Sequence, residues 1–507
     1  MKNIIKKLQK PLIASAITAT AFTAAIADEK QLTEQFPAFI NDTFQQLDLQ
    51  HGLGIAVIKG DEIVYKGAFG YADAKAGIKI SNNTSFYIAS STKPFTGLAA
   101  LLLANKGKLD LNKSLADFFP EVTFAPKLKA DQITIWHLLA HTHGLENNAL
   151  GFAVAFSGNH SPEKNLEYLR HTTANEEAPF GSFDYTNLGY NIFSMILERE
   201  LGQPWQDILA SEIFIPLGMT HTSSYISDAN KNGWQIALPY LYGSADPIEP
   251  LYLMKQDNTM HAAGGMIASA QDLARFVMAQ LNEGQIDGKQ IFPKDTITNA
   301  HKSHAKFDIQ RGPYHRTGYS AGWNLGTFQG ESLTHHFGGF AGNSAHISFM
   351  PEHDFGVVIL MNEGFISQRL AATFAGYAYD MLLDKDGVDT ARRKQVKSFV
   401  PKAAVAVKGM AAQRKKLADR PWLLSHNFSA YTGTYSNPLY GSISVTELSP
   451  EKLEFRLGNM HAIATAYSQQ DTMRLELVPG QGNVIAFKVN GVSVESFTYE
   501  GEVFVRE

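Results

Sequence analysis

The apolar pattern of this 507-residue chain changes character along its length, and that change limits the folds open to it. From about residue 428 apolar and polar residues alternate. Leu453, Phe455 and Leu457 do so, then Met473, Leu475 and Leu477, then Ile485, Phe487 and Val489, which lead into Asn490-Gly491. A period of two marks strands with one buried face, and Asn-Gly marks a hairpin turn. Residues 428–507 are therefore expected to form a small all-β domain, a barrel or strongly curved sheet. Upstream the pattern is mixed. Residues 54–58, 63–69, 346–350 and 356–361 read as strands, and 90–105, 133–140, 188–201 and 270–281 as helices. Pro94 is tolerated only in a first helical turn, so the first helix must begin just before it. Strands near both ends with helices between require a sheet assembled from distant parts of the chain, an α+β architecture.

Three further segments set context. Lys2, Lys6, Lys7 and Lys10 precede a short apolar run ending Ala25-Ile26-Ala27. A basic start, a short apolar middle and small residues at a cleavage point describe a bacterial export signal; a membrane anchor would need a longer run. Residues 1–27 are expected to be removed, leaving a periplasmic or secreted protein with no integral membrane segment. Residues 392–420 hold ten basic residues, with only Asp419 opposing them inside the run. We read 383–427 as a solvated, helical linker, the other reading being a patch for anionic membrane or wall polymer. The chain has no cysteine, which excludes a disulfide scaffold, a thiol nucleophile and Cys-ligated metals. A formal charge of −5 gives no nucleic-acid footprint.

Ser90-Ser91-Thr92-Lys93 is the segment with chemical promise. A Ser and a Lys three apart at a helix start share a face, one turn apart. The amine can then take the hydroxyl proton, provided burial or nearby positive charge lowers its pKa. The S-x-x-K pattern occurs four times, at Ser90, Ser161, Ser303 and Ser449. Only Ser90 lies between apolar segments, 86–88 before it and 95–103 after it.

Around Ser90, residues 86–97 resemble the nucleophile motif of penicillin-binding-protein-like serine hydrolases, the family of class C β-lactamases, D-alanyl-D-alanine carboxypeptidases, D-aminopeptidases and related esterases. Further segments match in family order. They are 133–145 (ITIWHLLAHTHGL), 183–190 with Tyr185-Thr186-Asn187, 263–274 (AGGMIASAQDLA), and His336-Phe337-Gly338-Gly339 in the place of a K-T-G or H-x-G motif. The resemblance spans roughly 35–382. It implies a β-lactamase/transpeptidase-like fold over 28–382: an antiparallel sheet flanked by helices, plus a helical subdomain. It also implies Ser90 as nucleophile, proton transfers shared by Lys93 and Tyr185, and Asn187 orienting Lys93 and the substrate. The N–H groups of Ser90 and Gly339 would form the oxyanion hole, with Gly338 beside them and His336 helping to position the substrate. Residues 428–507 resemble, more loosely, a lipocalin-like module found after such hydrolases. A small molecule or short peptide is the partner implied, with no cofactor or metal.

Two departures bear on substrate. No K-[ST]-G occurs in the chain, and His336 stands in its place, which leans toward a peptidase or amidase acting on D-amino-acid-containing or small peptides that are neutral or bound through an amine, with an esterase or a β-lactamase on the same site as the alternatives. His143 replaces the Ser usual in the H-T-S-G turn. Two rivals of other classes remain open. One is a zinc protein using His137, His141 and His143, the first two sharing a helix face; the other is a non-catalytic wall-binding protein on the same fold.

Overall fold

The computed structural model describes residues 31–507, so the expected leader lies outside the described residues. An eight-stranded antiparallel sheet organises the first body. Its strands are β1 (Leu53–Lys59), β2 (Glu62–Phe69), β3 (Ala305–Arg311), β4 (Tyr314–Tyr319), β5 (Asn324–Phe328), β6 (Glu331–Phe340), β7 (Asn343–Met350) and β8 (Phe355–Met361). Their spatial order is β3-β4-β5-β6-β7-β8-β1-β2. Strand β1 pairs with β8, Ile55 opposite Ile359 and Val57 opposite Val357, so the sheet does join distant parts of the chain.

Both β1 and β8 are covered on two faces. Leu53, Ile55, Val57, Val357, Ile359 and Met361 face one core, whereas Ala56, Ile58, Val358 and Leu360 face the other. A strand buried on both sides has no polar face, which explains its unbroken apolar run. Helix α1 (Phe36–Leu47) covers the first face. Its Phe36 and Phe39 stack on Tyr377 at 5.0 and 4.5 Å. Helix α2 (Lys93–Asn105) is buried from Lys93 through Leu103, as the core helix of a helical lobe. It begins one residue before Pro94, after a 3-10 turn at Ala89–Thr92. Helices α3 (Leu188–Leu201) and α4 (Ala270–Leu281) occupy the ranges the sequence indicates. The helix expected over 133–140 is shorter, Ile135–Leu139, because His141 adopts φ +59° and turns the chain away.

Helix α5 (Ser367–Leu382) is followed by the basic segment, which forms α6 (Val388–Ala418). Its first half is docked rather than solvated. Val388, Val396 and Ala403 are buried. Arg392 pairs with Asp380, and Arg393 with Asp42 and Asp389. The balancing acids come mostly from outside the run, where a linear reading does not look for them.

Beyond α6 nine strands form a second antiparallel sheet: β9 (Gly433–Asn437), β10 (Gly441–Ser449), β11 (Lys452–Leu457), β12 (Met460–Ile463), β13 (Thr465–Ala466), β14 (Thr472–Val478), β15 (Gln481–Asn490), β16 (Ser493–Tyr499) and β17 (Glu502–Arg506). The order is β12-β11-β10-β9-β17-β16-β15-β14-β13. The two edge strands are separated in sequence by Ala464 alone, so the sheet nearly closes into a barrel. Leu453, Phe455, Leu457, Met473, Leu475, Leu477 and Ile485 point inward. Asn490 pairs with Ser493, so Gly491, at φ +59°, takes the first central position of the turn. Tyr435 is a buried strand residue of this barrel. No helix among the described residues is long and apolar enough to cross a membrane.

Candidate active site

The short strand Phe86–Tyr87 pairs with Ile267–Ala268, and the Ile88 N–H donates to Met266 O at 3.0 Å. Ala89 then takes φ +47°, a conformation that costs an alanine about 1 kcal/mol and turns the chain sharply into the 3-10 turn. Thr92 Oγ1 donates to Ala89 O at 2.7 Å and holds that turn. This leaves Ser90 partly exposed and Lys93 fully buried. The Lys93 Nζ lies 3.2 Å from Ser90 Oγ, 2.8 Å from Asn187 Oδ1 and 2.9 Å from Ala263 O. Burial without a carboxylate partner pushes its pKa well below the usual lysine range.

Tyr185 closes the group. Tyr185 and Ser90 line the same cleft, and the Lys93 Nζ lies 4.8 Å from the Tyr185 ring centroid. Packing around the ring raises the phenol pKa, while Ser90 and Arg316 oppose the rise. The ring is 42% exposed, so cleft water tempers the shift, and the group stays protonated at neutral pH. His141 packs against Tyr185 with ring centroids 4.5 Å apart.

Strand β6 forms the opposite wall. A Cβ at Gly338 would fall 2.0 Å from Ile88 O and 3.0 Å from Ser91 N, so only glycine lets β6 approach the Ser90 turn this closely. Pairing of β6 with β5 ends at His335, whereas pairing with β7 runs on to Phe340. One edge of residues 336–340 is therefore open beside Ser90. Ser90, Tyr185, His336, Gly338 and Gly339 line one cleft of about 1080 Å³, and the buried Lys93 joins Ser90 to Asn187.

His336 is placed differently from its expected role. It is 2% exposed. Its Nδ1 can only donate to Phe337 O, at 2.7 Å, which leaves Nε2 to accept from the Tyr319 hydroxyl at 3.0 Å. Burial, reinforced by Lys93, holds its pKa well below 6.5. A neutral imidazole with both nitrogens engaged shapes the wall, and substrate contact through its ring is not what this geometry offers.

The proposed zinc set does not assemble. His137 Nδ1 accepts the Thr134 N–H at the helix start, at 3.1 Å. His143 Nδ1 accepts from Leu145 N–H at 3.0 Å, and its ring packs on α3 at Gly189. His141 lies past the helix end, so it shares no helix face with His137. Among the described residues no group of three or more His, Asp or Glu converges as metal ligands. Sequence reasoning assigned no role to the Ala263 carbonyl, Tyr319 or Arg316, and read His141 only as a candidate zinc ligand. Each acts through contacts distant in sequence; Ala263 and His141 lie in matched segments, whereas Tyr319 and Arg316 carry no motif.

Comparison with known proteins identifies the family and the fold. The Beta-lactamase family profile matches residues 40–376. Protein flp of Staphylococcus aureus is 28% identical over 336 residues, 64% of this chain and 64% of its own length. The unguisins hydrolase ungD' of Aspergillus campestris is 26% identical over 356 residues, 67% of this chain and 64% of that protein. The matches thus span about 64% of the length of these curated relatives. Among solved structures, the octameric penicillin-binding protein homologue from Pyrococcus abyssi superposes with TM-score 0.58 at 21% identity, covering 93% of this chain and 99% of that one. D-amino acid amidase from Ochrobactrum anthropi SV3 superposes with TM-score 0.55 at 22% identity, covering 68% and 98%. At these identities the likeness is one of fold. By its family match and the fold that carries Ser90, the chain belongs to the Beta-lactamase family of serine hydrolases.

Proposed function

We propose that the protein is an exported serine hydrolase that acts through a Ser90 acyl-enzyme, cleaving amide bonds in D-amino-acid-containing or other small peptides. The observation that carries this reading is the set of partners around Lys93. A neutral amine has two N–H groups and one lone pair. Asn187 Oδ1 and Ala263 O can only accept, so they take the two N–H groups. The lone pair then faces the Ser90 hydroxyl, 3.2 Å away. The Ser90 proton passes to Lys93 Nζ as Oγ attacks the substrate carbonyl carbon. The oxyanion is held by the N–H groups of Ser90 and Gly339. Tyr185 passes a proton to the leaving amine as the C–N bond breaks, and Lys93 returns the Ser90 proton to Tyr185. Water then attacks the ester carbonyl and gives a proton to Lys93; as the C–Oγ bond breaks, that proton passes to Ser90 Oγ, which releases the acid and restores the Ser90 hydroxyl and the neutral amine.

Amide substrates are favoured by the fold shared with D-amino acid amidase and by the relative named as a hydrolase of unguisins. Ester cleavage is the second reading, since acyl transfer to Ser90 serves both. A fluorophosphonate probe is expected to label Ser90 and to fail on S90A; labelling that persists in S90A contradicts the assignment. Export rests on residues 1–27, and N-terminal sequencing of the mature protein from the periplasm should begin near residue 28.

A further inference from the structure

The cleft beside Ser90 carries charge that this chemistry does not use. Arg311, Arg316, Arg369 and Arg392 line it against one acid, Asp184, in a chain of net charge −5. Asp184 already accepts from Asn175 Nδ2 at 3.0 Å, and Arg392 is taken by Asp380. Arg311 and Arg369 are exposed at the rim. Arg316, on β4, is different. It is half-buried, and its Nε–H donates to His335 Nε2 at 3.3 Å. Its guanidinium carbon lies 5.9 Å from the centroid of Phe337, the residue that opens the free edge of β6 beyond His336. Among the described residues no carboxylate pairs with it, and the opposing groups around it are the phenols of Tyr185, Tyr319 and Tyr314. Burial, with Arg311 adding to it, lowers its pKa to about 10, so it is charged at neutral pH. Partly burying a cation without a counter-ion is costly. The His335 bond takes Nε–H, and among the described residues neither Nη group of this cleft-lining guanidinium has a hydrogen-bond or ion-pair partner, so the fork that suits a carboxylate is unspent.

We propose that Arg316 receives a carboxylate of the substrate, so that the enzyme favours acyl substrates bearing a carboxylate away from the scissile carbonyl. This rests on the Ser90 reading and reverses the preference for neutral substrates that His336 suggested. The rim arginines add a field that draws such anions in.

The test compares p-nitrophenyl hemiglutarate with its methyl ester, reading p-nitrophenol release. The wild type should favour the acid in kcat/KM by about tenfold or more, the scale of one charge-assisted pair. R316Q should bring the ratio near one, and R316K, which keeps charge without the fork, should fall between. A ratio unmoved in R316Q overturns the proposal. S90A separates the two claims: release that survives in S90A defeats the hydrolase reading, whereas loss in S90A with a ratio blind to Arg316 defeats only the carboxylate assignment. Calorimetry gives a readout free of turnover. S90A should bind the glutaric acid monoanilide, and S90A/R316Q should bind it about tenfold more weakly; equal binding overturns the proposal.

Discussion

Lys93 and Lys255 are both buried with no carboxylate beside them, and their surroundings assign them different work. Lys255 Nζ donates to Ala155 O and to Thr259 O at 3.4 Å. The rings of Phe340, Phe156 and Tyr87 surround it at 3.9, 5.4 and 5.5 Å. Burial lowers its pKa to about 7. Lys93 is also near rings, those of Tyr185 and Tyr190 at 4.8 and 5.4 Å. What separates them is the third polar partner. Around Lys255 the polar partners are carbonyls, which have no proton to give. Lys93 meets the Ser90 hydroxyl, which has one and opens onto the cleft. A lowered lysine pKa is thus not itself a sign of catalysis; a transferable proton with access to substrate is.

The comparison breaks first at activity. K93A is expected to lower kcat/KM by at least about 10²-fold, the usual scale of lost general-base help, while K255M should stay within about threefold. Equal losses in the two variants would remove the distinction. Y185F should also cost about 10²-fold, chiefly in kcat for amides, where the leaving amine needs a proton; an amide-to-ester ratio unchanged by Y185F would argue against that role.

The pH dependence sharpens it. Lys93 must be neutral to act, so kcat/KM should fall as pH drops through its lowered pKa, and K93A should lose that limb. Tyr185, held above the usual tyrosine range, should add no alkaline loss below pH about 10. For stability the sign follows from proton counts. Between about pH 7 and the unfolded lysine value of 10.5, the unfolded chain holds a proton on residue 255 that the folded protein does not. Stability therefore rises with pH across that window, and the charged form is the costly one below it. K255M should reduce the slope by one proton, about 1.4 kcal/mol per pH unit, and raise stability at pH 7 by about 1 kcal/mol. Denaturant unfolding at several pH values measures both, and an unchanged slope would place the lowered pKa elsewhere.

What the sequence made legible follows from how local each signal is. Ser90 and Lys93 are three apart on one turn, and α3 and α4 end where their apolar periods end. The barrel alternates because its sheet has one buried face. Partners set by tertiary pairing were hidden. Tyr319 reaches His336 only because β4, β5 and β6 are neighbours, so the imidazole that looked free is saturated. The three histidines looked like a ligand set because nothing local announced that the helix stops at Leu139. Asp380 and Asp42 neutralise α6 from other elements, so half of a basic run expected in solvent is docked. Lys255 follows Leu253 and Met254 with no motif around it, and its aromatic cage comes from residues 87, 156 and 340.

The most direct test of the account is the pH dependence of Ser90 acylation by a fluorophosphonate, with the adduct located by peptide mass mapping. The wild type should label at Ser90 with a rate that rises through one ionisation below the usual lysine range. K93A should label at least about 10²-fold more slowly with no such ionisation. Labelling that survives S90A, or a K93A profile that matches the wild type, would contradict it.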